Sequence, residues 1–388
     1  MVELDGGEGE GGGQILRTAL TLSVLTGRPF RIDRIRANRD HPGLRPQHLA
    51  CVEALVALTG AQAQGAEVGS RTLRFEPSEG FEIRPFEYDI GTAGSTGLLL
   101  QTLFPIVAIQ GAKLGLTHST TLTLRGGTYN LAAPSWPFLD RVWRVHQARV
   151  GLNCVLRSPR AGYYPRGGGL LEADIPPGRP RPVTLTQRGR PQRVLIDAVV
   201  SRLPESIGRR LIQRVQTRLT DHPQLGEAEI VDRLLQSPSD GTGCAVGITV
   251  EFEDPTSDDC DPAGESPGVA ASGQTIPPPS PSPPLVAGFV GLGRPGKSSE
   301  AVADEAFDQL EDHLAAPHAA IDRYSGDQLL LPLALASGCS RFRVGHATGH
   351  LLTNVRTLCA FLERTIRVEL DHPPSPDQPE PPALVVVE

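Results

Sequence analysis

The chain has 388 residues, with 37 Lys and Arg against 44 Asp and Glu, and a formal charge of −7 at pH 7. That length can bury one large core and a smaller one, which predicts two domains. The negative balance excludes a protein that tracks long nucleic-acid backbone by neutralising many phosphates, but it leaves room for a local basic pocket that grips one end. Six cysteines without Cys-x-x-Cys spacing argue against a zinc knuckle and a disulfide framework. The acidic, glycine-rich start has no basic segment followed by an apolar one, and no apolar run could span a bilayer, so a cytoplasmic protein without membrane association is expected.

In chain order, the first informative stretch is GEGGGQILRT, Gly9 to Thr18, opening an amphipathic helix. Glycines at 9, 11, 12 and 13 let the backbone approach a ligand closely, and the free N–H groups of the helix start favour an anion. Glu10 offers a carboxylate to a metal, and Arg17, one turn after Gly13, a fork for phosphate. Four segments, LSVLTGRPFRI, ALVALTGAQ, VAIQGAKLGL and LALASGCSRFRV, read as a helix closed by glycine and followed by a strand. Repetition of that pattern predicts an α/β protein built from similar units. The tract 254–284, rich in Pro, Ser, Gly and Asp, cannot bury enough apolar surface to offset its ordering entropy and is expected to be a disordered spacer.

GLGRPGKS, Gly291 to Ser298, matches a P-loop between a strand-like LVAGFV and a helix. Fewer than a hundred residues follow it, too few for the parallel sheet such a loop needs, so a working P-loop is not expected. In DRYSGDQ, Tyr324 and Gln328 stand at i,i+4 and share a face with Asp327 if the segment is helical, where Ser or Asp would also serve as a cap. His350 opens HLLTN at a predicted helix start, a position that leaves the imidazole facing a pocket, where a neutral ring is a competent nucleophile. His346 has zinc-pair spacing to His350, but Ala347 replaces the glutamate of the metalloprotease motif and Gly349 disfavours one helix across both. Adenylylation through lysine needs Lys-x-Asp-Gly, and neither Lys113 nor Lys297 stands in that context.

Together, GEGGGQ, IRANRDHPGLRPQHL (35–49), GTAGSTGLLLQT (91–102), RGGTYNLAAP (125–134), GYYPRGGG (162–169), DRYSGDQLLLPLALA (322–336) and GHATGHLLTN (345–354) resemble the RNA 3′-terminal phosphate cyclase family, in the family's order. One departure stands out: Ala161 precedes Gly162 where the family's signature carries Arg or His, which could weaken a polar contact beside that loop. The resemblance implies a large domain of repeated units, each two helices on a four-stranded sheet, with a smaller α/β domain inserted. The large domain would comprise 1–181 and 293–388, and the insertion 182–292.

It also implies ATP-dependent conversion of an RNA 3′-terminal phosphate to a 2′,3′-cyclic phosphate, with His350 carrying AMP as a phosphoramidate and RNA(3′)pp(5′)A as the second intermediate. By matching positions, Arg17, Gln101, Tyr324, Asp327 and Gln328 would hold the nucleotide. Arg36, Arg39 and Gln47 would hold the triphosphate or the RNA end, and Glu10 a Mg²⁺ or Mn²⁺ ion. Partners would be ATP and RNA 3′-phosphate ends. The alternative is a non-catalytic relative acting as an RNA-binding scaffold in ribosome assembly; a third reading, an enolpyruvyl transferase, shares only the repeated architecture.

Overall fold

The computed structural model describes residues 1–254 and 283–388. Nearly all of the tract expected to be disordered, 254–284, therefore lies outside the described residues. The first unit consists of β1 (Val2–Asp5), α1 (Gln14–Thr26), β2 (Phe30–Asp33), α2 (Pro46–Thr59), β3 (Gln62–Gln64) and β4 (Leu73–Glu76). Gly27 and Gly60 end α1 and α2 in the left-handed region, at φ 70° and 74°, as the helix–glycine–strand pattern implied. The second unit runs through β5 (Phe86–Asp89), α3 (Thr96–Lys113) and β6 (Thr120–Gly126). It continues with α4 (Trp136–Phe138), a π-helical turn (Leu139–Trp143), α5 (Arg144–Arg149), β7 (Val155–Arg160) and β8 (Gly169–Ile175).

A short strand, β9 (Thr184–Leu185), then precedes a separate group: β10 (Pro191–Ser201), α6 (Glu205–Leu219), β11 (Glu229–Gln236), β12 (Gly243–Phe252), β13 (Leu285–Leu292) and α7 (Ser299–Ala315). The chain closes with α8 (Gly326–Leu335), β14 (Ser340–Val344), α9 (Gly349–Phe361), β15 (Ile366–Leu370) and β16 (Ala383–Val387). Three sheets share one topology: β1-β2-β4-β3, β5-β6-β8-β7 and β9-β14-β16-β15. In each, the first pair is parallel and the other two pairs are antiparallel. The fourth sheet, β11-β10-β12-β13, lies in the chain between the first strand of the third unit and its helices. α7 packs on β12, β13 and α6. The fold is thus mixed α/β, with four small mixed sheets.

α1 is the central helix. Ile15, Leu16, Ala19, Leu20 and Leu22 are all buried, and the helix packs on α2, α3 and α9. Each fully buried leucine contributes about 1.5–3 kcal/mol relative to an exposed one, so this apolar run fixes the helix on which the glycine-rich loop is mounted. Phe30 meets Phe75 within the first unit and Phe361 of α9 at 6.0 Å, which ties the first unit to the third. A second cluster, Tyr129, Ala161, Tyr163, Val199 and Ala245, joins the second unit to the fourth sheet. Ala161, the departure from the family signature, is fully buried there and donates its N–H to the Pro238 carbonyl at 2.9 Å.

The P-loop look-alike sits in an unsuitable frame. β13, which feeds it, pairs antiparallel with β12 at the sheet edge. Lys297 is ion-paired with Glu305, and Ser298 caps α7 through the Ala301 N–H. Among the described residues, no helix is long and apolar enough to cross a membrane.

Candidate active site

The first turns of α1, α2, α8 and α9 meet at one place. Close approach there depends on two glycines. A Cβ on Gly9, at φ 57°, would stand 2.3 Å from Thr353 Oγ1, and one on Gly13 would stand 2.2 Å from His48 Nε2 and 3.0 Å from an Arg17 guanidinium nitrogen. The loop can lie against α9 and α2 only because these atoms are missing. Gly13→Ala should therefore destabilise the fold by about 1–3 kcal/mol, the usual cost of overpacking, and reduce nucleotide binding at least 10-fold. Thermal unfolding together with ATP titration checks both effects.

His350 stands in the first turn of α9, whose start is capped by Thr348 accepting the Leu351 N–H at 3.1 Å. Its ring is half-exposed, and Nδ1 lies 3.1 Å from Glu10 Oε2. Arg39 reaches the same oxygen at 3.1 Å. Burial pushes the imidazole below its ordinary value; Glu10 and Glu380 oppose that shift, whereas Arg17 and Arg39 reinforce it. The ring is therefore neutral at pH 7. Of the two neutral tautomers, the one with hydrogen on Nδ1 and the lone pair on Nε2 is the one that the Glu10 carboxylate, 3.1 Å from Nδ1, favours electrostatically.

Arg17, one turn into α1, is half-buried, and burial lowers its guanidinium's pKa, an effect that Cys51 and Asp327 partly offset. The group stays charged. Asp327 in the first turn of α8 is pushed up to about 7 by burial, with Arg17 and the Gln14 amide pulling the other way. Gln14 donates to Asp327 Oδ2, and its own Oε1 is buried without a hydrogen-bond partner among the described residues. Asn354 donates to the Asp327 backbone carbonyl at 2.8 Å and accepts from Thr18 at 2.8 Å. This chain of contacts locks α1, α8 and α9 together. Gln101 of α3 donates to Gln328 at 2.8 Å.

Tyr324 lies just before α8, in a turn organised by the buried Asp322. That carboxylate accepts the N–H groups of Tyr324 and Ser325, each at 2.9 Å, and the Ser325 hydroxyl at 2.8 Å. The Tyr324 ring is 45% exposed and meets Phe138 edge-on at 6.3 Å.

These groups open onto a cavity of about 420 Å³ lined by Glu10, Arg17, Gln101, Tyr324, Asp327, Gln328 and His350. The segment Asn130 to Ser135 and the α7 side chains Glu305 and Gln309 form other walls. The volume lies within the range of small-molecule sites. Seven of the ten residues singled out in the sequence thus share one cavity, and Arg39 joins them through Glu10. Arg36 and Gln47 are not among the lining residues. Arg36, at φ 54°, turns its guanidinium onto the carbonyls of His41 and Gly43. Gln47, in the first turn of α2, faces Gly94, whose added Cβ would be 3.2 Å from the Gln47 Cβ.

His346 turns away, with Nε2 3.1 Å from Asp312 of α7. Among the described residues, no group of three or more His, Cys, Asp or Glu could hold a metal. Glu10 is a half-exposed carboxylate of the cavity, with Oε2 turned to His350 and Arg39, whereas the equally exposed Glu305 is ion-paired with Lys297. One such carboxylate with substrate phosphates suits Mg²⁺, which usually keeps few protein ligands. Sequence reasoning missed Gln14, His48, Asp322 and Asn354. All four lie inside or beside the quoted motifs, and buried polar types at helix starts were the available signal. His48 is buried and pushed down to about 3, chiefly by burial and also by Arg17, Arg36 and Arg45, and its Nδ1 accepts the Arg45 N–H at 3.2 Å.

A family profile described as RNA 3′-terminal phosphate cyclase matches residues 8–368. The chain is 36% identical over 372 residues to a protein named RNA 3′-terminal phosphate cyclase from Salmonella agona (strain SL483), covering 95% of this chain and 94% of that one. It is 37% identical over 373 residues to the protein of that name from Ralstonia nicotianae, and 38% over 371 to that from Pseudomonas fluorescens, each with the same coverage. A match of this extent, over a cavity with a neutral histidine at its mouth, places the chain in the RNA 3′-terminal phosphate cyclase family.

Proposed function

We propose that the protein uses ATP to convert an RNA 3′-terminal phosphate into a 2′,3′-cyclic phosphate through a covalent His350–AMP intermediate. The observation that carries this reading is that His350 lines a cavity sized for a nucleotide with the Glu10 carboxylate 3.1 Å from its Nδ1, an arrangement that favours the lone pair on Nε2. Nε2 attacks the α-phosphorus of ATP, and pyrophosphate leaves with the bonding pair. The ring, now bonded to phosphorus at Nε2 and still carrying hydrogen on Nδ1, becomes cationic, and Glu10 stabilises that charge. An oxygen of the RNA 3′-phosphate then attacks the AMP phosphorus, freeing neutral His350 and forming RNA(3′)pp(5′)A. The vicinal 2′-hydroxyl attacks the 3′-phosphorus, its proton passes to solvent, and AMP leaves.

Arg17 holds phosphate oxygens on which charge develops. Tyr324 lies against the base, while Asp327, Gln101 and Gln328 supply hydrogen bonds to the nucleotide. Arg36, Arg39 and Gln47 serve the triphosphate or the RNA end. Glu10 would also hold a Mg²⁺ or Mn²⁺ ion, which would neutralise the triphosphate. The final attack is intramolecular, so positioning supplies much of its acceleration. A non-catalytic scaffold has no use for a histidine set beside a carboxylate at the wall of such a cavity.

A 3′-phosphorylated RNA oligonucleotide incubated with ATP should acquire a phosphatase-resistant end, with one AMP and one pyrophosphate released per end. An end that stays phosphatase-sensitive contradicts this function. The pH dependence tests the Glu10 contact. Protonation of His350 removes the nucleophile, so adenylylation falls as pH drops through a value below the usual 6.5. Glu10 raises that value. Glu10→Gln should therefore move the acid limb lower still, on a slower reaction; a limb that stays in place or moves up contradicts the contact.

A further inference from the structure

The two most exposed large apolar side chains among the described residues are Tyr164, at 83%, and Leu131, at 66%. Single exposed apolar residues are ordinary on protein surfaces. The two segments that carry them are joined to each other. The segments that carry them are bridged at Tyr129 and Tyr163, whose buried rings stack at 4.9 Å, and the N–H groups of Thr128 and Tyr129 both donate to the Gly162 carbonyl. Leu131 lines the mouth of the nucleotide cavity. Tyr164, which is not among the residues lining the cavity, lies in a turn closed by Gly167 N–H to the Tyr163 carbonyl at 2.8 Å.

Both segments rest on residues 92–94. Asn130 donates to the Ala93 carbonyl at 2.6 Å, and a Cβ on Gly167 would lie 2.7 Å from the Thr92 carbonyl. Gly94 in turn abuts Gln47. The joined pair is therefore continuous with the flank of the site and firmly backed, yet it presents an aromatic ring to solvent.

The charge beside Tyr164 is positive. Arg160 is ion-paired with Asp240, Arg166 donates to the Asp240 backbone carbonyl at 2.9 Å, and Arg202 acts on the same carboxylate through its charge. Three guanidinium groups thus surround one carboxylate. An exposed ring on a stiff support beside surplus cationic charge suits single-stranded nucleic acid, which offers base faces for stacking and phosphates for arginine.

We propose that the Tyr164 ring is a base-stacking platform for single-stranded RNA upstream of the 3′-phosphate, with Leu131 giving apolar contact at the cavity and Arg166 and Arg202 on the phosphates. This rests on the reading that the substrate is an RNA end. The GYYPRGGG segment, to which the reaction itself assigns no chemistry, thereby gains a role. Stacking is tolerant of sequence, so the platform reads single-strandedness and length, not base identity.

The test is fluorescence anisotropy on the full chain, with a 3′-phosphorylated single-stranded RNA decamer and a 3′-phosphorylated dinucleotide as competitor. Wild type should bind the decamer about 10-fold or more tightly than the dinucleotide. Tyr164→Ala should remove most of that difference, Tyr164→Phe should keep it, and Arg166→Gln should reduce the salt slope by about one. A Tyr164→Ala protein that binds the decamer as wild type does, or a wild type indifferent to length, overturns the platform. ATP labelling of wild type, measured alongside, tests the reaction separately. Loss of decamer affinity in Tyr164→Ala with no label on wild type would support the platform and sink the reaction.

Discussion

Replacing His350 with alanine should abolish transfer of AMP to the protein and lower ATP-dependent cyclisation by on the order of 10⁴-fold or more, as expected when a covalent nucleophile is removed. The fold should survive. The ring is half-exposed, and the start of α9 is capped by Thr348, not by His350. A surface substitution of this kind usually stays within about 0.5 kcal/mol, so the melting temperature should barely move. The same variant should still cyclise an RNA supplied as preformed RNA(3′)pp(5′)A, because the last step uses only the 2′-hydroxyl and positioned phosphates. Quantifying cyclic ends from both substrates separates the steps. His350→Ala that cyclises a plain 3′-phosphate at the wild-type rate would remove the histidine from the mechanism.

Arg17→Ala carries the second large effect, a fall in kcat/KM for ATP of about 10²–10³-fold, the scale for losing one preorganised charge donor. Two causes act together. The phosphates lose a bidentate fork, and Asp327 loses the cation that opposes the effect of burial on its carboxyl. With Arg17 gone, that carboxyl should titrate above about 7, and the Gln14 contact beside it should loosen. Arg17→Lys restores charge without the planar fork, so it should recover part of the loss. Steady-state kinetics on the three proteins decides. Equal kcat/KM in Arg17→Ala and wild type would place the arginine outside the reaction.

How much of this was legible depends on whether a feature is local. The glycine closures at Gly27 and Gly60 were readable because an αL cap demands one residue type. The glycines at 9 and 13 were readable as a place of close approach, but the atoms they clear, on Thr353 and His48, come from distant helices and were not. His350 at the start of α9 followed from the helical run behind it. The third sheet was not readable locally. Its first strand has two residues, and its partner β14 lies more than 150 residues onward, beyond the fourth sheet; local periodicity carries no information about such pairing.

Contacts that depend on tertiary placement were equally hidden. Asp322, in the quoted DRYSGDQ motif, turns out to organise the turn that presents Tyr324. The wall supplied by Glu305 and Gln309 comes from a helix that packs on the fourth sheet. For Arg36, the motif fixed the position, but the direction of the guanidinium toward the 41–43 carbonyls is a rotamer choice that no sequence pattern specifies.

The central claim is that His350 carries AMP. Incubation with α-labelled ATP and a divalent cation, denaturation, digestion and mapping of the labelled peptide test it most directly. The expected result is one acid-labile, base-stable label on the peptide containing His350. An unlabelled protein, or a label on any other residue, would contradict the account.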